Sequence, residues 1–145
     1  IVHASGSAGT QAGLVVGTSM CLDRTRVLGI DIDAEPDRVK QDVMSLAEST
    51  CDMLEVPFFR ERVEVLAGHA GSAYGMPDSA TLEAMRLLGR LEALILDPVY
   101  TGKCMAGLIS LIREGCWGKN EDVIFIHTGG TPALFAYRKW LMLQD

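Results

Sequence analysis

"ASGSAGTQAG", residues 4–13, is built from small residues around Gly6, Gly9 and Gly13 and leads directly into the apolar run Leu14, Val15 and Val16. A stretch so stripped of side chains makes either a tight turn or a place where a ligand meets the backbone, because glycine lacks the Cβ that would keep an anion from the amide N–H groups. A helix is expected to start near Thr10 and run toward Met20, with this loop at its N-terminus. A glycine-rich loop of this kind normally follows a strand, of which only residues 1–3 precede it, so an N-terminal portion is expected ahead of Ile1.

Downstream of the loop, apolar runs alternate with helical patterns. "RVLGIDID", 26–33, reads as a buried parallel strand that ends in acids at a ligand edge. Glu35 or Asp37, with Pro36, can open a helix carrying Val39, Val43, Leu46, Ala47 and Leu54 at helical spacing. "RVEVLAG", 62–68, is a short strand. The turn-forming loop "HAGSAYGMPDSA" follows, and Asp78 or Ser79 can cap a helix with Leu82, Met85 and Leu88 on one face. "ALILDPV", 93–99, reads as a buried strand stopped by Pro98. Residues 102–114 read as a helix with Met105, Leu108, Ile109 and Ile112 inward and Gly115 as its stop. "DVIFIHTGG", 122–130, is a last strand, with Pro132 opening a closing helix through Trp140. The fold class is α/β: a three-layer helix–sheet–helix arrangement on a mostly parallel sheet, with its crevice at the strand carboxyl edge. Loops 5–10, 100–102 and 127–131 should face that crevice, with the Tyr74 loop overhanging it.

The chain of 145 residues is 48% hydrophobic, enough for a core, and carries a net charge of -6 without a basic cluster. That balance argues against nucleic acid and against a polybasic membrane anchor. No apolar run approaches the ~18 residues of a membrane span, and no signal peptide is evident, so a cytoplasmic protein with a small ligand is expected. Cys21, Cys51, Cys104 and Cys116 form no C-x-x-C pair and have no histidine at metal-ligand spacing. No metal site is expected, and buried free thiols are.

Taken by itself, the loop lacks the Lys-Ser or Lys-Thr of a triphosphate-binding loop and the G-x-G-x-x-G of a dinucleotide fold. Asp31 and Asp33 nonetheless end a strand about 20 residues on, where a nicotinamide-binding fold places its ribose-binding acid. That alternative stays open at this point, as does a plain turn.

Four phrases occur in order: "GSAGTQAGL" (6–14), "AYGMP" (73–77), "LDPVYTGKCMAGLI" (96–109) and "FIHTGGTPALFAY" (125–137). Together they resemble the D-cysteine desulfhydrase and 1-aminocyclopropane-1-carboxylate deaminase family of pyridoxal-phosphate enzymes of fold type II, in its carboxyl-terminal part. The resemblance implies that residues 1–145 form mainly the large cofactor-binding domain, that the lysine carrying the cofactor lies in the amino-terminal portion, and that the enzyme is a homodimer acting on a small amino acid. It implies a phosphate cup at Ser7, Ala8, Gly9 and Thr10, which agrees with the positive end of a helix dipole favouring a dianion. It places Thr128 against the pyridine nitrogen with Gly129 beside it, and gives Tyr100 and Tyr74 catalytic positions as proton donors or relays.

Thr101 stands where the deaminase branch carries a glutamate, and Thr128 where that branch carries an aliphatic residue. Both departures favour D-cysteine desulfhydrase over the deaminase, with L-cysteate sulfo-lyase as a near alternative. His127 reads as a hydrogen-bonded neighbour of the site, and Lys103 as a surface or phosphate-proximal charge.

Overall fold

A computed structural model describes residues 1–22 and 24–142. Strands β1 (Val2–Ser5), β2 (Leu28–Asp31), β3 (Glu64–Leu66) and β4 (Phe125–Ile126) form one sheet in the order β3-β2-β1-β4. Every pairing is parallel; β1 meets β2 with Val2 opposite Leu28 and β4 with Val2 opposite Phe125. The helices are α1 (Gly9–Cys21), α2 (Pro36–Leu54), α3 (Ser79–Glu92), α4 (Thr101–Arg113) and the short α5 (Arg138–Met142).

Strand alternation divides the core in two. Val2, Ala4, Leu28 and Ile30 pack with Ala84, Cys104, Met105 and Leu108 of α3 and α4. On the opposite face Val65 and the strand-flanking Val27 and Val63 pack with Val15, Val39, Val43 and Met44 of α1 and α2. A period-two sheet between two helical layers is the three-layer α/β architecture read from the sequence.

Local chemistry explains most of the boundaries. Pro36 sits in the first turn of α2, where its missing N–H costs nothing, and Glu55 ends that helix in a left-handed conformation. Asp78 caps α3 by accepting a hydrogen bond from Thr81 N at 2.8 Å. Gly115, at φ +76, lies just beyond the end of α4.

Several expectations are corrected. Residues 93–99 form no strand: Ala93 turns left-handed to close α3, Leu94 N returns to Leu88 O, and Leu94 and Ile95 are exposed. The apolar run is instead buried from Leu96 onward as irregular chain, and apolar composition alone does not separate these two states. The last strand shrinks to Phe125–Ile126, an edge strand paired on one side only and followed by Gly129 and Gly130 at positive φ. The closing helix breaks into a 3-10 turn, Thr131–Phe135, and α5. Within α2, Leu46 and Leu54 are exposed while Met44 and Cys51 take the buried positions, and Ile112 of α4 is exposed. Cys51 and Cys104 are buried, but Cys21 and Cys116 are exposed. No described helix is long and apolar enough to cross a membrane.

Candidate functional site

The loop after β1 runs into α1 at the carboxyl edge of the sheet. Ala8 is the N-cap residue with φ +68, a left-handed conformation that L-residues adopt at a cost. No side chain caps this helix and no acid lies in its first turn, so the positive end of its dipole is not neutralised locally. Ser7, Gly9 and Thr10 are exposed and Ala8 is buried. Gly9 N–H donates to Ser7 O at 2.8 Å, so this amide is drawn into the loop's own turn. A Cβ built on Gly9 would meet nothing within 4 Å. Donors, dipole and open space therefore fit a phosphate at this helix N-terminus, where the resemblance expects the cup of Ser7, Ala8, Gly9 and Thr10.

Gln11 fixes this loop to the sheet. It is fully buried, accepts from Ser5 Oγ at 2.7 Å and donates from Nε2 to Glu64 O at 2.6 Å, so it reaches from β1 to β3. It passes over Gly29 of β2, where a Cβ would overlap its amide.

Tyr74 and Tyr100 come together although 26 residues separate them in sequence: their hydroxyls are hydrogen bonded, with ring centroids 5.9 Å apart and planes at 70°. This bond, then desolvation, raises the Tyr74 phenol to about 12, so the Tyr74 hydroxyl keeps its proton at neutral pH. It can donate or relay a proton but is a poor base.

A pH dependence follows, with its sign fixed by the direction of the shift. Because the folded phenol holds its proton more tightly than an unfolded tyrosine near ~10, its stabilising effect is complete below that value and is lost as pH rises toward about 12. A phenolate absorbance titration should show a late component from Tyr74, and Tyr100→Phe should bring it back toward the ordinary value. An unchanged late component in that variant would refute the pairing.

Asp97 organises the loop that carries Tyr100. Fully buried, it accepts from Val99 N, Tyr100 N and Thr101 N, each at 2.8 Å, and from Thr101 Oγ1 at 2.7 Å. The Thr101 hydroxyl also accepts from Asp97 N at 3.0 Å and is buried. Thr101 is thus engaged in shaping the loop, and its hydroxyl is not presented to a substrate. Gly130, at φ +92, packs against this carboxylate so closely that a Cβ would lie 2.6 Å from Asp97 Cγ. The loop after β4 therefore seats directly on the loop before α4.

His127 is exposed and bridges the same two loops. Gly129 N donates to its Nδ1 at 3.1 Å, which leaves the proton on Nε2 to donate to Ile95 O at 3.0 Å. It is a hydrogen-bonded neighbour, as expected. Thr128 is exposed, and a Cβ at Gly129 would meet nothing within 4 Å, so this segment too faces open space.

Lys103 is not the surface charge expected from sequence: it is fully buried. Asp31 is buried with Oδ1 accepting from Asp33 N, and the Asp33 carboxylate pairs with Arg38. With Asp33 held by Arg38 and no dinucleotide spacing in the glycine-rich loop, the nicotinamide reading loses support. A depression of about 510 Å³ lies along α3 between residues such as Glu83, Arg86 and Leu91 and includes none of the residues of this edge.

Two contributors, Gln11 and Asp97, went unread in the sequence, and the burial of Lys103 was missed. Asp97 had a legible signal, since an aspartate two to four residues before a helix start is suited to accept the orphan amides there. Gln11 and Lys103 had none, because their partners lie far away along the chain.

Parallel strands feeding an uncapped helix N-terminus, with tyrosine hydroxyls and glycine-rich loops at the same edge, define an α/β protein that binds an anionic cofactor. A family model described as pyridoxal-phosphate dependent enzyme matches residues 1–129. The chain belongs to this pyridoxal-phosphate-dependent family. It is 40% identical over 139 residues to a 1-aminocyclopropane-1-carboxylate deaminase of Burkholderia vietnamiensis, covering 94% of this chain and 41% of that enzyme. It is 39% identical over 137 residues to a D-cysteine desulfhydrase of Yersinia enterocolitica, covering 94% of this chain and 42% of that enzyme. A crystal structure of a homologue of 1-aminocyclopropane-1-carboxylate deaminase superposes with a TM-score of 0.89 at 35% identity, over 97% of this chain and 42% of that one. The chain thus spans about two fifths of the length of these relatives.

Proposed function

We propose that the chain is the carboxyl-terminal part of a pyridoxal-phosphate-dependent lyase that converts D-cysteine and water to pyruvate, sulfide and ammonia. The observation that carries this reading is the hydrogen-bonded Tyr74–Tyr100 hydroxyl pair, with the Tyr74 phenol held protonated, on the edge that also bears the glycine-rich loop. Pyridoxal phosphate, when bound, supplies an electron sink for the bond broken at the substrate's α-carbon. The amides of Ser7, Ala8 and Thr10, with the hydroxyls of Ser7 and Thr10, hold its phosphate, Gly9 leaves room for its approach, and Thr128 and Gly129 border its ring.

The departing thiolate leaves with the carbon–sulfur bonding pair and needs a proton. Tyr100, supported by Tyr74, is placed to deliver one as a general acid. Thr128 supports the desulfhydrase over the deaminase because it puts a hydroxyl beside the ring where the deaminase branch carries an aliphatic residue. Thr101 lends less support, since its hydroxyl is spent on Asp97. The amino-terminal portion of the same enzyme is proposed to supply the lysine that carries the cofactor, in a cytoplasmic homodimer.

The test offers D-cysteine, L-cysteate and 1-aminocyclopropane-1-carboxylate at matched concentration to the full-length enzyme, with sulfide, sulfite and 2-oxobutyrate measured. Sulfide from D-cysteine should dominate, and Tyr100→Phe should lower kcat more than cofactor affinity. Dominant 2-oxobutyrate assigns the deaminase instead, and dominant sulfite the sulfo-lyase.

A further inference from the structure

Lys103 lies in the first turn of α4, and its side chain is fully buried. Its Nζ donates to Ile32 O at 3.2 Å, to Ala73 O at 3.0 Å and to Ala70 O. An ammonium has three protons, so all of them are spent on backbone carbonyls and none is left for a ligand. Burial pushes its pKa down while Asp31, Asp33, Asp78 and Asp97 oppose that shift. A buried charge costs free energy that a methylene chain of similar shape would not, so packing alone does not account for it. What the ammonium adds is a junction between α4, the end of β2 and the loop that carries Tyr74.

That junction is placed next to the tyrosine. Ala73, whose carbonyl Lys103 holds, immediately precedes Tyr74. Gly75 immediately follows it, and its carbonyl accepts from Tyr137 Oη at 2.6 Å. The turn closes through Met76 N to Ala73 O at 3.1 Å, with Gly75 at φ +74. Both carbonyls flanking Tyr74 are therefore tied down, one to α4 and one to the segment after β4. Tyr100, whose hydroxyl pairs with that of Tyr74, is the N-cap residue of the same α4.

We propose that Lys103 and Tyr137 are positioning residues that together hold the Tyr74 hydroxyl on that of Tyr100. The catalytic consequence rests on reading the tyrosine pair as the acid; the positional one does not. Displacing such a group by an ångström or so costs on the order of 100-fold in rate, while substrate binding through other contacts changes little.

The test uses the full-length enzyme with Lys103→Met, Lys103→Ala and Tyr137→Phe, each measured for D-cysteine turnover and phenol titration, with Tyr74→Phe identifying the late component. Lys103→Met should lower kcat by about 10- to 100-fold at nearly constant KM while keeping the borohydride-sensitive visible band of lysine-bound cofactor. Its late tyrosine should move from about 12 toward the ordinary value. Ethylammonium should restore part of the turnover of Lys103→Ala by refilling the cavity, and Tyr137→Phe should shift the same titration to a smaller degree.

A lysine variant with an unmoved Tyr74 titration overturns the proposal, whether or not its kcat falls, because a fall alone is what a merely structural residue gives. If neither lysine variant folds, Tyr137→Phe decides: a shifted titration supports the proposal and an unmoved one overturns it. A parent enzyme without the cofactor band or without sulfide release refutes the functional reading separately, and the titration still tests the positioning.

Discussion

Replacing Asp97 with alanine should destabilise the folded protein by about 3–5 kcal/mol, the scale for removing a buried charge that its surroundings were built to satisfy. One carboxylate accepts from three successive backbone amides and a hydroxyl. Truncation leaves the amides of Val99, Tyr100 and Thr101 buried or half-buried without that partner. The carboxylate also lies against Gly130, so a void opens between the loop before α4 and the loop after β4. Asp97→Asn should cost less, since an amide oxygen can still accept while the charge is lost. Urea unfolding of the full-length enzyme measures both. A loss below about 1 kcal/mol for the alanine variant, the scale of an ordinary hydrogen bond, would show that the network contributes little.

Gly9→Val should produce the opposite profile, a protein that folds but retains cofactor at least about tenfold less well, equivalent to about 1.4 kcal/mol. The protein itself leaves room: a Cβ at Gly9 meets nothing within 4 Å, and Gly9 lies at the start of α1 without a positive φ. Valine is no poorer a helix former than the glycine it replaces. The open space it would fill is where the phosphate must approach the amides of the cup. Equilibrium dialysis against pyridoxal phosphate, with circular dichroism as the folding control, separates these effects. Undiminished retention in a folded variant would move the phosphate away from this loop.

Much of the fold was legible because its signals are local and periodic. The buried positions Val39 and Val43 follow a helical repeat, "VLGID" is a strand buried on both faces, and Asp78 announces a helix start. What failed was also physical. Whether 93–99 pairs as a strand depends on a neighbour supplied by distant sequence, and an apolar run looks the same in either state. The glycine-rich loop and the two tyrosines stand out through ordered motifs and turn chemistry, and the structure brings the hydroxyls of Tyr74 and Tyr100 together. The burial of Lys103 was not readable, because a lysine is ordinarily exposed and its acceptors are backbone carbonyls, which carry no residue identity. Thr101 shows the reverse error: its residue type suggested substrate chemistry, and its hydroxyl is occupied by Asp97.

The crossing of Gln11 over Gly29 has an evolutionary corollary. An alanine at position 29 would displace the amide that joins Ser5 to the Glu64 carbonyl, and a shorter residue at position 11 would empty the space above the glycine. Either change alone is penalised by the other residue, while a compensated double change can restore the volume. The two positions are therefore constrained to drift as one, and the path by which the loop before α1 could migrate relative to the central strands is narrowed to steps that alter both.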